Sequence, residues 1–147
     1  MKIVKNSPKY VEWLNADVMH EASIKWLSEL RFIKDEEQFF EDLIKLFTLK
    51  LIDPENFPNT QEIVTEITKL RKRNKVLIDS IIRHEKELKI MVDGINQIKE
   101  EEAYKDVHRE LFIAVKKYFK EYRLLKTRLF KTLKEVMKHE KQKKLMP

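Results

Sequence analysis

The stretch that decides the fold runs from Ile63 to Ile98 and reads IVTEITKLRKRNKVLIDSIIRHEKELKIMVDGINQI. Its apolar residues follow one another in alternating steps of three and four, with Asn74 and His84 as polar interruptions: Ile63, Ile67, Leu70, Leu77, Ile81, Leu88, Met91, Ile95 and Ile98. A stripe with this 3.5-residue period forms one face of an α-helix, and it is buried best against other helices that lie nearly parallel to it. The pattern therefore predicts a helical bundle with coiled-coil-like packing.

Length and composition place the chain in the all-α class. It has 147 residues, 38% of them charged, with one glycine, four prolines and no cysteine. Few turn-forming residues and abundant Lys, Glu, Leu and Ile favour long helices in one domain, residues 1–147. The lack of cysteine excludes disulfides and thiol catalysis. Because no apolar run resembles a signal peptide or approaches the roughly 20 residues of a membrane span, we expect a cytoplasmic protein without membrane insertion.

Proline and asparagine residues mark the end of the first helix, which we call helix A. The segment 53–60 reads DPENFPNT, which predicts that helix A ends near residue 52 and that Asn59 or Thr60 caps helix B. Helix A has two candidate starts. Ser7 with Pro8 gives a start at about residue 8, and Asn15 gives a start at about residue 16.

The connection between helix B and helix C has three alternatives. Gly94 follows Asp93 and favours a turn there, which gives helix B about residues 60–93, helix C about residues 97–140, and a basic tail at 138–147. The acidic residues of Glu100–Glu102 suit the first turn of a helix, so the turn could instead lie at about 100–102. A single unbroken helix is the third alternative. The first two predict an antiparallel bundle of three long helices.

Helix A carries acidic and apolar residues beyond its own stripe. Antiparallel pairing with helix B places its acidic residues beside the basic run from Lys69 to Lys75; they are Asp35, Glu36, Glu37, Glu41 and Asp42. The apolar residues outside the stripe are Phe32, Phe39, Leu43 and Leu46. Because large apolar patches rarely stay exposed on monomers, we expect part of this surface to be buried in a homodimer, with Trp13 and Trp26 as anchors.

Four polar residues interrupt the apolar stripes: Glu37, Asn74, His84 and His108. We expect all four to be buried and to need polar partners. A turn at Gly94 brings His84 close to Tyr104 and His108, whereas a later turn would let His20 join His108. We favour the interpretation that Asn74 specifies helix register and that the histidines form hydrogen bonds. A metal site at His84 and His108 is the weaker alternative.

The end of the chain is strongly basic. From Lys116 onward there are 12 basic and 3 acidic residues. The candidate surface for an anionic partner is formed by Lys116, Lys117, Lys120, Arg123, Lys126, Arg128, Lys131 and Lys134. The aromatic residues among them, Tyr118, Phe119, Tyr122 and Phe130, are interpreted as core rings. Nucleic-acid binding at this surface is an alternative that we do not favour over a solvated helix face.

The functional expectation follows from the motifs that are missing. The sequence contains no Gly-rich phosphate loop, no Gly-x-Ser-x-Gly elbow and no His-Glu-x-x-His pair. We therefore expect no catalytic residues and no cofactor. The favoured function is a non-catalytic protein-interaction or structural module that forms a homodimer and binds a protein partner we cannot name. The alternatives are an anionic-surface binder through helix C, and a metal or small-ligand bundle built on the core histidines.

Overall fold

The computed structural model describes residues 15–47, 57–93 and 98–145. These residues form three α-helices and no strand: α1 is Ala16–Leu46, α2 is Phe57–Asp93 and α3 is Ile98–Leu145. The helices pack against one another, so the predicted all-α class and the three-helix bundle are confirmed. The hydrophobic stripe of α2 is buried at Ile63, Ile67, Leu70, Ile81 and Leu88.

The first residue of α1 is set by a cap. Asn15 precedes the helix, and its side-chain Oδ1 accepts a hydrogen bond of 2.9 Å from the backbone N–H of Val18. This contact satisfies one of the N–H groups that have no partner inside the helix. Asn15 was one of the two predicted starts. Ser7, Pro8 and the predicted end near residue 52 lie outside the described residues.

The predicted cap of α2 is wrong, because the helix begins three residues before Thr60 at Phe57. Asn59 and Thr60 therefore lie inside the first turn. The Nδ2 group of Asn59 donates a hydrogen bond of 2.7 Å to Thr132 Oγ1 on α3 instead of capping its own helix. Pro58 does not prevent the early start, since a helix needs no N–H donor in its first turn.

The connection between α2 and α3 matches the Gly94 alternative. α2 ends at Asp93 and α3 begins at Ile98, so Glu100–Glu102 belong to α3 and do not form a turn. The unbroken helix is also wrong. α3 continues to Leu145, which means that the predicted tail at 138–147 is helical over its described part. Lys, Glu and Gln are good helix formers, and they allow the helix to continue beyond the buried stripe.

The chain forms two compact units, and each helix contributes a segment to both. Unit 1 consists of the described residues within Met1–Ile33 and Asn74–Tyr118. Within unit 1, α2 runs antiparallel to α1, because His20 contacts Glu85 while Leu30 contacts Asn74. Its core contains apolar side chains from all three helices: Met19, Trp26, Leu30, Ile81, Leu88, Tyr104, Leu111, Val115 and Tyr118.

Unit 2 consists of Lys34–Arg73 and the described residues from Phe119 onward. Within it α2 runs antiparallel to α3, because Asn59 contacts Thr132 while Arg73 pairs with Glu121. Its core contains Phe40, Ile63, Ile67, Leu70, Tyr122, Leu125, Leu129, Leu133 and Val136.

The charged residues of α1 in unit 2 contact both neighbouring helices. Glu41 pairs with Arg71 of α2, which confirms the predicted acid-to-base pairing at this position. Glu36 differs, because it contacts Tyr122 and Lys126 of α3. The sequence predicted only one neighbour for these acids. In a bundle of three helices, however, α1 presents one flank to α2 and the other to α3, and side chains one turn apart can face different partners.

Candidate functional site

The most distinctive polar arrangement is a buried histidine pair in unit 1. His84 Nε2 on α2 lies 3.0 Å from His108 Nδ1 on α3, which is hydrogen-bond distance. Only 2% of the His84 surface and none of the His108 surface is exposed. The contact predicted from a turn at Gly94 is thus present. His20, the alternative partner, instead has its Nδ1 atom 2.6 Å from Glu85 Oε1.

Aromatic rings enclose the histidine pair on both sides. The His84 ring stacks on Tyr104 with 3.9 Å between ring centroids and 4° between planes. The His108 ring stacks on Trp26 of α1 with a centroid distance of 4.9 Å. All three helices therefore meet in one layer. Trp26 is buried here, so its predicted role as a dimer anchor is wrong, and Trp13 lies outside the described residues.

The histidine pair is uncharged at neutral pH. Burial lowers the pKa of His84 to about 4. Burial also lowers the pKa of His108 to about 4, and repulsion from a charged His84 acts in the same direction. Burial raises the pKa of the Tyr104 phenol, and the carboxylates of Glu85 and Glu87 raise it further. The layer consequently holds neutral hydrogen-bonding groups instead of charges.

The hydrogen bond between the histidines fixes what the pair can do chemically. One imidazole donates and the other accepts, so each ring nitrogen at this contact is already used. Their outer nitrogens, His84 Nδ1 and His108 Nε2, are buried and have no hydrogen-bond partner among the described residues. The same is true of the Tyr104 hydroxyl and of Ser23 Oγ. Such a layer lowers stability when it gains a proton, because an imidazolium ion would then be buried.

The layer does not provide the ligand set of a metal centre. Within residues 15–47, 57–93 and 98–145, no three His, Cys, Asp or Glu side chains lie close enough together to hold a metal ion. His84 also borders an open cavity of about 560 Å³ between α2 and α3. The cavity is lined by one basic residue, Arg83, and by two acidic residues, Glu87 and Glu110.

The other two predicted seam residues are also buried, one in each unit. Asn74 in unit 1 donates a hydrogen bond of 2.9 Å from Nδ2 to the backbone carbonyl of Leu30 on α1. Its Oδ1 atom is buried without a hydrogen-bond partner in the described part of the chain. Glu37 is buried in unit 2. The Asn74 contact links α1 to α2 at one position, as a residue that specifies register should.

Among the described residues, the predicted anionic-partner surface divides into residues with a partner and residues without one. Lys126 Nζ lies 3.0 Å from Glu36 Oε2, and Arg128 forms ion pairs with Glu62 and Glu66. Hydrogen bonding to Glu66 raises the pKa of Arg128. Lys116 in unit 1 lies over the Phe112 ring. The remaining five residues are exposed: Lys117, Lys120, Arg123, Lys131 and Lys134.

A second surface feature, which we call the aromatic patch, was predicted only in part from the sequence. Phe39 on α1 is 57% exposed and contacts buried Phe40, which makes an edge-on contact of 5.5 Å with Phe130 on α3. Phe130 was predicted to be a core ring, but 45% of its surface is exposed. Leu46 and Met137 are also exposed and lie seven residues beyond Phe39 and Phe130, on the same helix faces. We define the aromatic patch as Phe39, Leu46, Phe130 and Met137.

No protein-family model matches this chain, and no curated protein or solved structure is significantly similar to it. None of the described helices has a stretch long and apolar enough to cross a membrane.

Proposed function

We propose that this protein is a non-catalytic helical module that acts by binding protein, and that a second copy of the chain is its partner. The observation that carries the proposal is the aromatic patch on unit 2. Phe39, Leu46, Phe130 and Met137 are all more than a third exposed although each is large and apolar. Large apolar side chains exposed in this way are typical of interaction sites.

Ion pairs cross all three flanks of unit 2. They join Glu41 to Arg71 between α1 and α2, Glu66 to Arg128 between α2 and α3, and Glu36 to Lys126 between α1 and α3. The flank where α1 meets α3 also carries the patch. This is the groove in which a further helix could pack against two existing helices, and burying the patch there removes apolar surface from water.

Charges on the two edges of the patch favour a second copy as the occupant. On α1, exposed Asp35 lies four residues before Phe39, and exposed Asp42 lies four residues before Leu46. Both acids are on the side of α1 that faces away from the contact between Glu36 and α3. Exposed Arg123 and Lys134 border Phe130 and Met137 on the outer side of α3. The patch thus has an acidic edge on α1 and a basic edge on α3.

A two-fold axis parallel to the helices matches these edges to each other. Such an axis places α1 of one copy against α3 of the other and keeps every residue at its own height. Within unit 2, α1 and α3 are parallel, and Glu36 lies level with Tyr122. Asp35 of one copy would then lie close to the height of Arg123 of the other, so the acidic edge of one copy meets the basic edge of its partner. An antiparallel dimer would instead place like charges together.

Light scattering tests the proposal, with apolar residues outside the patch as a control. The variant Phe39→Ser with Leu46→Ser should be monomeric at protein concentrations where the wild-type chain is a dimer. The matched control, Val76→Ser with Ile90→Ser, removes equally exposed apolar side chains from α2 and should stay dimeric. A monomeric wild-type chain, or a dimer that the patch variant leaves intact, would refute the proposal.

Charge reversal tests the geometry of the dimer. A chain with Asp35→Lys and Asp42→Lys and a chain with Arg123→Asp and Lys134→Asp should each be monomeric alone, because like charges face each other at both edges. Mixed together, they should form a heterodimer, since one chain then has two basic edges and the other two acidic edges. If the charge variants dimerise as well alone as when mixed, the parallel arrangement is wrong.

A further inference from the structure

The outward face of α3 in unit 2 is lined by lysines that the proposed dimer does not use. Lys120, Lys131, Lys138 and Lys141 are all exposed. Helical spacing puts the first three, with Thr127, on the side of α3 opposite its buried stripe, and puts Lys141 one turn after Lys138 on the side of Lys134. We call these four lysines the basic strip. Arg123 and Lys134, which border the aromatic patch, are not counted in it.

The basic strip has no acid to neutralise it within the described residues. Other basic residues of the same helix segment do have partners: Lys126 pairs with Glu36, and Arg128 with Glu62 and Glu66. No carboxylate of residues 15–47, 57–93 or 98–145 forms an ion pair with a strip lysine. Among the described residues, the strip lysines therefore present one sign of charge to solvent.

Helical structure holds the strip in a line. Because α3 continues to Leu145, Lys138 and Lys141 are part of the helix. At about 1.5 Å per residue, the strip from Lys120 to Lys141 is roughly 32 Å long. That length is close to one helical turn of duplex DNA, which is about 34 Å.

We propose that the basic strip binds the phosphate backbone of double-stranded nucleic acid without reading its sequence. Lysines on a rigid helix can each neutralise a phosphate, and phosphate contacts of this kind supply most of non-specific affinity. The strip offers no Asn, Gln or Arg fork for base edges, so sequence preference is not expected.

An anionic membrane surface fits the same charges less well. A helix that lies on a membrane inserts an apolar face next to its basic residues. The main apolar stripe of α3 in unit 2 is buried in the core through Leu125, Leu129 and Leu133. Leu124, which is exposed next to Lys120 and Lys131, is a single side chain and gives little of the insertion that makes such binding stable.

One acid borders the strip and provides a test of its own. Glu135 is exposed on α3, four residues after Lys131 and three before Lys138. A carboxylate there repels phosphate. The variant Glu135→Gln should therefore bind a DNA duplex more tightly than the wild-type chain, by a few-fold, and should do so mainly at low salt.

The principal experiment compares two sets of lysines by fluorescence anisotropy with a labelled DNA duplex about two turns long. The strip variant changes Lys120, Lys131, Lys138 and Lys141 to Gln. The control variant changes Lys34, Lys45, Lys69 and Lys72 to Gln, which are also exposed lysines of unit 2 without an ion pair among the described residues. Both variants lose the same charge, so general attraction falls equally.

The expected result is a loss in the strip variant only. Four phosphate contacts give a salt slope of roughly −3.6, so wild-type affinity should fall on the order of 100-fold between about 50 and 200 mM salt. The strip variant should bind at least ten times more weakly at low salt, and its affinity should depend little on salt. The control variant should keep most of the wild-type affinity and most of the wild-type salt slope. Equal losses in the two variants, no wild-type binding at low salt, or tighter binding to phosphatidylserine vesicles than to DNA would overturn the proposal.

Discussion

Acidification is expected to destabilise this protein at the histidine layer. The pKa values of His84 and His108 are lowered to about 4 in the folded chain, from an ordinary value of 6.5. Between these values the unfolded chain binds protons that the folded chain excludes. The histidines therefore do not reduce the free energy of unfolding above about pH 6.5. Below that value the free energy of unfolding falls as the pH decreases towards about 4.

The size of the loss follows from the unfolded state. At about pH 5 both buried rings are still neutral in the folded chain, whereas each is about 1.5 pH units below its unfolded pKa. Each histidine then costs roughly 2 kcal/mol, and the two together cost about 4 kcal/mol. This is a large part of the 5–15 kcal/mol that is typical of a domain.

Urea unfolding at about pH 7.5 and pH 5 measures the difference. The variant His84→Phe with His108→Phe keeps two rings for stacking on Tyr104 and Trp26 but cannot titrate. Its stability should change by less than about 1 kcal/mol between the two pH values, whatever its absolute value. His139→Gln, at an exposed position of α3, should retain the wild-type loss. Equal wild-type stability at both pH values, or an unchanged loss in the Phe variant, would refute the reasoning.

Three further substitutions should separate the polar contacts by their contribution to stability. Asn74→Leu removes an amide whose oxygen is buried without a hydrogen-bond partner among the described residues. This variant should raise the thermal midpoint of unfolding and make the helix register less specific. Asn74→Asp should lower the thermal midpoint strongly. Tyr122→Phe removes the hydroxyl that donates to Glu36 and should cost about 1–2 kcal/mol by urea unfolding. Asn15→Ala removes the cap of α1 and should cost about 1 kcal/mol, with increased amide exchange confined to the first turn.

The helices and the histidine pair could be predicted from the sequence because both depend on spacing along the chain. A 3.5-residue stripe defines the buried face wherever the helix lies, and Ile63, Ile67 and Ile81 are buried as expected. The single glycine located the second connection. With that connection placed, His84 and His108 had to lie at one level of an antiparallel pair.

The features that were missed depend on which neighbour a residue faces. Trp26 belongs to the stripe of α1, but only the third helix makes it the ring that stacks on His108. Phe130 lies at the edge of the α3 stripe, at the boundary between the buried and the exposed sides of the helix. Periodicity describes one helix at a time, so it could not divide the basic residues of α3 into those with an acidic partner, such as Arg128, and those without.

The parallel arrangement of α1 and α3 has a consequence for folding kinetics. The contact between His84 and His108 spans 24 residues and can form within a single helical hairpin, whereas Tyr122 and Lys126 reach Glu36 across 86 and 90 residues. Closing the longer loop costs about 1.2 kcal/mol more in chain entropy. The α2 and α3 hairpin is therefore expected to form early, and docking of α1 onto α3 to be the late, slower step.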